Sequence, residues 1–315
     1  MPDISTLVHD INSLFSNGHI CSQENAEKLG KAIADTVVRR LKEASQPDEP
    51  FRLRMSNLGK PDKQLWYEAH SVQPREQLPP QARIKFLFGD ILENLLIFLA
   101  KEAGHEVTDE QRGVEYCGIS GSMDCRIDRV LVDVKSASTR SFEKFYTGSL
   151  RRNDPFGYMW QLSGYGWADG VTDSGFLVID KTLGHICFMG VDKEEIKLYN
   201  IPERIAHMKA VLASPDPPER CFIDVPDGKS GNMKLDTTCS YCAFKGECWP
   251  GLRTFLYSNG PRFLTKVKRV PQVTEVLSEE QLAERLFNED GREQEQQECG
   301  ELGAGESPEG PDDAG

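Results

Sequence analysis

Residues 121–138 read GSMDCRIDRVLVDVKSAS, and this stretch decides the fold. Two short runs rich in apolar and β-branched residues, 123–127 and 130–134, are separated by the charged pair Asp128 and Arg129, a pattern that predicts a β-hairpin. Such a hairpin brings Asp124 and Asp133 to one sheet edge. Lys135 stands two residues beyond Asp133, so period-2 alternation places both on the same face.

Working outward, residues 81–104 carry Ile84, Leu87, Phe88, Ile91, Leu92 and Leu95 at helical spacing. Glu93 falls inside this apolar helix, four residues after Gly89, and an acid there is costly to bury without a partner such as a metal. A third β-type run is expected at 114–119. Downstream, a helix fits 156–167 and places Gln161 and Tyr165 on one face at i and i+4; strands follow at 175–179 and 185–191, and a helix at 196–212. Upstream, 4–45 read as two helices. Helix, three strands, helix, strands is the order of an α/β core: a mixed sheet flanked by helices.

Asp124 and Asp133 supply carboxylate ligands of the kind Mg²⁺ prefers, and the Val134 carbonyl is a candidate third ligand. Lys135 is placed to polarise a water or to offset charge developing at a phosphoryl centre.

The chain has 315 residues, 38% of them hydrophobic, enough for one large core or a core plus an accessory domain. Its net charge of −13 argues against nucleic acid until it is divided: residues 278–315 hold thirteen Asp and Glu against two Arg, a net of −11, leaving about −2 for 1–277. That C-terminal tail is expected to be disordered. No signal peptide or membrane span is apparent, so a cytoplasmic location is expected, in the host cytoplasm if a phage encodes the chain, and nine cysteines then point to metal ligands or buried thiols rather than disulfides. Residues 236–250, DTTCSYCAFKGECWP, contain Cys239, Cys242 and Cys248; a tetrahedral zinc or cubane iron site needs a fourth ligand, and Cys221 is the nearest. Cys117 and Cys125, in or beside core strands, read as structural. Arg52, Arg54, Arg151, Arg152, Lys266, Lys268 and Arg269 are candidate phosphate contacts, and Trp160 and Trp167 either stack on bases or pack the helix.

The succession of Gly89 and Glu93, Gly121 and Asp124, Asp133 and Lys135, then Gln161 and Tyr165 resembles the RecB-like branch of the PD-(D/E)xK nuclease superfamily, which includes the iron–sulfur CRISPR-adaptation and AddB-type exonucleases. The resemblance covers residues 52–250, and LRMSNLGKPDKQLWYE at 53–68 is most similar to nucleases of tailed bacteriophages. It implies a restriction-endonuclease-like core and a metal-dependent DNA exonuclease acting in recombination, replication or DNA degradation; a structure-specific or nicking endonuclease and a non-catalytic DNA-binding subunit are the alternatives. It implies Glu93, Asp124 and Asp133 as metal ligands, where many relatives have His in place of Glu93, Lys135 as catalytic lysine, and Gln161 and Tyr165 as supports that contact the DNA strand. It implies DNA with a free end as partner, and a phage or host recombination protein as a second one. For the cysteines it implies a [4Fe–4S] cluster, zinc being the alternative. Relatives take the fourth ligand from a cysteine at the place of Asp62; its absence favours Cys221, ahead of Asp62 or Cys21. The expected organisation is helical at 1–50, nuclease core at 51–213, a cysteine-cluster segment on the core at 214–277, and the acidic tail at 278–315.

Overall fold

The computed structural model describes residues 3–46, 50–71 and 80–277; the tail at 278–315 lies outside them. The chain divides into two units, 1–221 with 242–244, and 222–241 with 245–315.

In the first unit the helices and strands run α1 (Leu7–Ser16), α2 (Gln23–Ala44), α3 (Asp62–His70), α4 (Pro80–Glu102), β1 (Val107–Thr108), β2 (Gly113–Tyr116), β3 (Ile119–Ser122), β4 (Cys125–Ile127) and β5 (Val130–Ala137). They continue through α5 (Thr139–Tyr146), α6 (Tyr158–Ala168), β6 (Ser174–Asp180), β7 (Ile186–Val191), α7 (Lys193–Leu198) and α8 (Ile201–Ala213). The expected hairpin is β4–β5: Ile127 pairs with Val130, and Asp128 and Arg129 close the loop with φ of 49° and 74°, the paired left-handed geometry of a type I′ turn. The main sheet has the order β1-β4-β5-β6-β7, with β5 and β6 parallel and the other neighbours antiparallel. This is the expected mixed sheet flanked by helices.

Alternation along β5 separates two cores. Val132 and Val134 join Leu7 and Ile11 of α1 and Leu96, Ile97 and Ala100 of α4 on one face. Leu131 and Ala137 join Phe142, Leu162, Phe176 and Ile205 on the other. Each such fully buried aliphatic side chain contributes about 1.5–3 kcal/mol. By the same alternation Asp133 and Lys135 belong to the α6 face, while Ser136 faces α4.

Three expectations need correction. The run at 114–119 is not one strand: Cys117 and Gly118 take φ of 50° and 75° and fold it into the β2–β3 hairpin. The helix expected at 196–212 breaks at Tyr199, because Asn200 caps a new helix through Glu203 N–H at 3.2 Å and Pro202 has no amide to continue the old one. Of the apolar face expected on α4, Ile84 and Phe88 remain about half exposed and Leu87, Ile91, Leu92 and Leu95 are half-buried, while the helix's buried residues are Leu96, Ile97, Leu99 and Ala100.

The second unit is an antiparallel sheet of β8 (Val225–Pro226), β9 (Met233–Lys234), β10 (Arg253–Tyr257), β11 (Gly260–Lys266) and β12 (Glu275–Val276), in the order β12-β10-β11-β9-β8, with the short helices α9 (Thr237–Ser240) and α10 (Lys245–Cys248). Leu235, Phe255 and Leu264 are its buried centre. No described helix is long and apolar enough to cross a membrane.

Candidate active site

Asp124 immediately precedes β4, and its Oδ2 accepts the backbone N–H of Val134 at 2.7 Å, so the hairpin register itself sets this carboxylate against β5. Asp133 is buried on β5, with Lys135 Nζ 2.6 Å from its Oδ2. Glu93 enters from α4. Near it a Cβ on Gly89 would meet Ser136 Oγ at an ordinary 3.6 Å, so the glycine is not sterically required there. Gly121 is required: a Cβ on it would lie 2.7 Å from Met55 and 2.8 Å from Tyr165, so only glycine lets Tyr165 close over the hairpin.

The electrostatics report crowding. Burial, then the carboxylates of Asp124 and Asp133, push Glu93 up to about 8. Burial and Asp133 push Asp124 up to about 7. Desolvation pulls the Lys135 ammonium down, but Asp133 and Asp124 outweigh it and hold it above the ordinary lysine value. The lysine is therefore a fixed cation, suited to stabilising charge rather than accepting a proton.

Helix α6 covers this face. Asp154 holds its first turn by accepting Met159 N–H at 2.8 Å. Gly157 lies against Gly59 so closely that a Cβ on either would strike the other's backbone. Gln161 Nε2 donates to Tyr165 Oη at 3.2 Å. Burial lifts the Tyr165 phenol to about 12, with Asp133 and Asp124 adding to it, so it stays a proton donor. Trp160 packs edge-on against Tyr199, and Trp167 Nε1 donates to Ile196 O at 3.3 Å, so both serve helix packing.

Two residues of the site escaped sequence reasoning. Tyr158 places its ring 5.2 Å from Lys135 Nζ, a cation–π contact; its i, i+3, i+7 spacing with Gln161 and Tyr165 was the available signal. Gln111 takes a left-handed φ of 51°. Its N–H donates to Asp124 O at 2.8 Å and its Nε2 to Glu93 Oε1 at 2.5 Å, while Ser122 Oγ donates to its Oε1 at 3.2 Å. Nothing in its sequence context marks it.

Among the described residues no three His, Cys, Asp or Glu side chains form a ready-made metal site. The fit therefore rests on donor chemistry: an oxygen-only set holding three carboxylates against one lysine, which is what a hard divalent cation takes.

Of the other candidates, Arg151 is engaged by Glu195 at 2.7 Å and Gly190 O at 2.7 Å. Asp62 is held by Arg204 at 2.7 Å and His207 at 2.6 Å. Cys221 Sγ accepts Lys63 N–H at 3.4 Å, beside Asp62 at the start of α3. Phe244, two residues after Cys242, stacks on Tyr67 of the same helix at 5.5 Å. Cys239 and Cys248 belong to the second unit. Cys21 lies before α2, its thiol 3.4 Å from Ser22 O. Cys125 is buried and Cys117 exposed.

No family model and no curated protein matches the chain. Among solved structures, the protein SSO0001 is similar at 17% identity and a TM-score of 0.38, over 68% of this chain and 95% of its own. A phage-related exonuclease from Haemophilus somnus 129PT follows at 15% and 0.38, over 52% and 94%. An alkaline exonuclease from Laribacter hongkongensis gives 17% and 0.31, over 51% and 89%. At such distances function is argued from the chain's own residues.

Proposed function

We propose that this chain is a divalent-metal-dependent deoxyribonuclease of the PD-(D/E)xK kind that degrades DNA from an end, in recombination, replication or DNA breakdown. One observation carries the reading: Glu93, Asp124 and Asp133 are drawn together with a single lysine in a half-buried setting, where desolvation and mutual repulsion push Glu93 to about 8. Structural ion clusters balance their charges; this one is left to be balanced by a cation. Glu93, Asp124, Asp133 and the Val134 carbonyl would hold Mg²⁺ or Mn²⁺, which supplies an activated water and neutralises phosphate charge. Lys135 would place a fixed positive charge at the phosphoryl group as the negative charge there grows. Tyr158 holds that ammonium in place, while Gln161 and Tyr165 offer an amide and a phenol to the strand being cut.

End dependence is supported by the Gln161 and Tyr165 pair, which resembles the RecB-like branch rather than restriction enzymes. Incubation with Mn²⁺ should consume linear DNA and spare covalently closed circles, with no cleavage in EDTA. Equal rates on both substrates would leave an endonuclease, and no cleavage of either would refute the reading.

For the cysteines we propose a structural [4Fe–4S] cluster held by Cys221, Cys239, Cys242 and Cys248, with zinc as the alternative. Support comes from the C-x2-C-x5-C spacing and from the seat of Cys221 beside Asp62, where the resemblance puts the fourth ligand. Protein purified without oxygen should be brown and contain iron and acid-labile sulfide; a colourless protein holding one zinc per chain would contradict the iron assignment.

A further inference from the structure

The second unit carries more Lys and Arg than Asp and Glu among its described residues, and these cations divide into two sets. Lys234 and Arg262 are paired with Asp227 at 3.6 and 2.9 Å, and Arg253 with Glu275 at 2.6 Å. Lys245 lies over the Phe263 ring at 5.0 Å. Lys229, Lys266, Lys268 and Arg269 are different: all four are exposed, and no ion pair engages them among the described residues.

Their backbone is nevertheless fixed. Asn232 is 2% exposed. Its Oδ1 accepts Lys268 N–H at 2.8 Å and Arg269 N–H at 2.9 Å, and its Nδ2 donates to Arg269 O at 2.8 Å. A buried amide with three good partners is a rigid clamp. The Lys268 stem also runs over Gly231, where an added Cβ would meet its Cδ at 3.1 Å. That contact places Lys268 against the turn at 227–232 that carries Lys229, a turn tied by Asp227 N–H to Asn232 O at 2.8 Å and by Ser230 Oγ to Asp227 O at 2.7 Å. Lys266 ends β11, next to Met233 in the sheet.

We propose that the turn at 227–232 and the exit of β11 form a docking ridge for the phosphodiester backbone of nucleic acid. Four cations on a pre-organised backbone suit a polyanion, since contacts to phosphate carry affinity without reading sequence. The identity of the polyanion as DNA rests on the nuclease reading. The ridge gives the second unit a substrate-holding role separate from the carboxylates.

The test uses the full chain, a short fluorescein-labelled DNA duplex and EDTA, so that binding is read by anisotropy without cleavage. Replacing Lys229, Lys266, Lys268 and Arg269 together with Gln should weaken binding at least tenfold at low salt. It should also flatten the plot of log affinity against log salt by up to about 0.9 per lost contact. The control replaces Lys31, Lys42, Lys181 and Lys193, exposed on the first unit, with Gln for the same change in net charge. It should bind as the unaltered chain does; equal losses in both variants would reduce the ridge to bulk charge and overturn the proposal. Asn232→Ser keeps every cation but loosens the clamp, and unchanged affinity there would overturn the claim of a held geometry. Cleavage with Mn²⁺ is scored separately, so failure of the nuclease reading is not confused with failure of the ridge.

Discussion

Asp109, Arg112, Arg126 and Asp169 form one cluster of four charged side chains in the first unit, and Glu93, Asp124, Asp133 and Lys135 form another; both draw on the β4–β5 hairpin. In the first, Arg112 meets Asp169 at 2.5 Å, and Arg126 meets Asp109 at 3.2 Å as well as Asp169. Two cations face two anions, and the set is closed. In the second, three carboxylates share one lysine, and burial with mutual repulsion lifts Asp124 to about 7 and Glu93 to about 8. Neighbouring charges thus serve opposite ends. The balanced set fastens the loop at 109–112 to β4 and the end of α6, whereas the unbalanced set keeps its acids protonated to higher pH and is the one proposed to take a cation.

The contrast is broken most sharply by neutralising one acid in each set. Asp124→Asn should lower cleavage by about a thousandfold or more, because metal-centre residues act as a unit. It should also raise the stability of the metal-free protein at pH 8, by on the order of 1–2 kcal/mol after allowance for solvent screening, since a repelled carboxylate is removed. Asp169→Asn should do the reverse, costing roughly 1–2 kcal/mol by leaving Arg112 and Arg126 to share Asp109 alone while activity persists. Thermal melts in EDTA alongside cleavage assays check both signs; stability changes of the same sign would end the distinction.

A second consequence concerns pH. Glu93 and Asp124 have folded-state values above their ordinary ones, so the folded protein binds these protons more tightly than the unfolded chain does. The stability they lend is complete below the ordinary carboxyl range and is lost as pH climbs from about 4 toward 8. In EDTA the melting temperature should fall across that window. Saturating Mn²⁺ should restore it, with a gain that grows with pH as cation replaces proton. A gain independent of pH would mean that the metal binds elsewhere.

The smallest effect is expected at Gln111. Gln111→Ala leaves all three carboxylates in place but removes the amide that holds Glu93, and loss of such a supporting contact costs about 10–100-fold in metal affinity. Titration of Mn²⁺ measures it, and Gln111→Glu should not rescue, because it adds a fourth negative charge. Unchanged affinity in Gln111→Ala would make the contact incidental.

The sequence made the hairpin readable because alternation, a charged two-residue turn and the side chains of Asp124, Asp133 and Lys135 coincide within 121–138. Asp124, Asp133 and Lys135 could be placed together from that alone. Glu93 was readable as an acid in an apolar helix, and Gln161 with Tyr165 by helical spacing. Gln111 was not, since its role depends on a left-handed backbone and on a partner eighteen residues away. The five-stranded second unit was hidden as well: β8, β9 and β12 are two residues long, too short for alternation to register. The exposed first half of α4 shows the opposite failure, because helical periodicity reports an apolar face without reporting whether anything covers it.

The unbalanced carboxylates are the proposed divalent-cation site. Calorimetric titration of Mn²⁺ into the unaltered chain, Asp133→Asn and Asp169→Asn at pH 8 tests it most directly. Saturable binding in the unaltered chain and in Asp169→Asn, with binding lost in Asp133→Asn, is the predicted result; the same Mn²⁺ affinity in all three would contradict it.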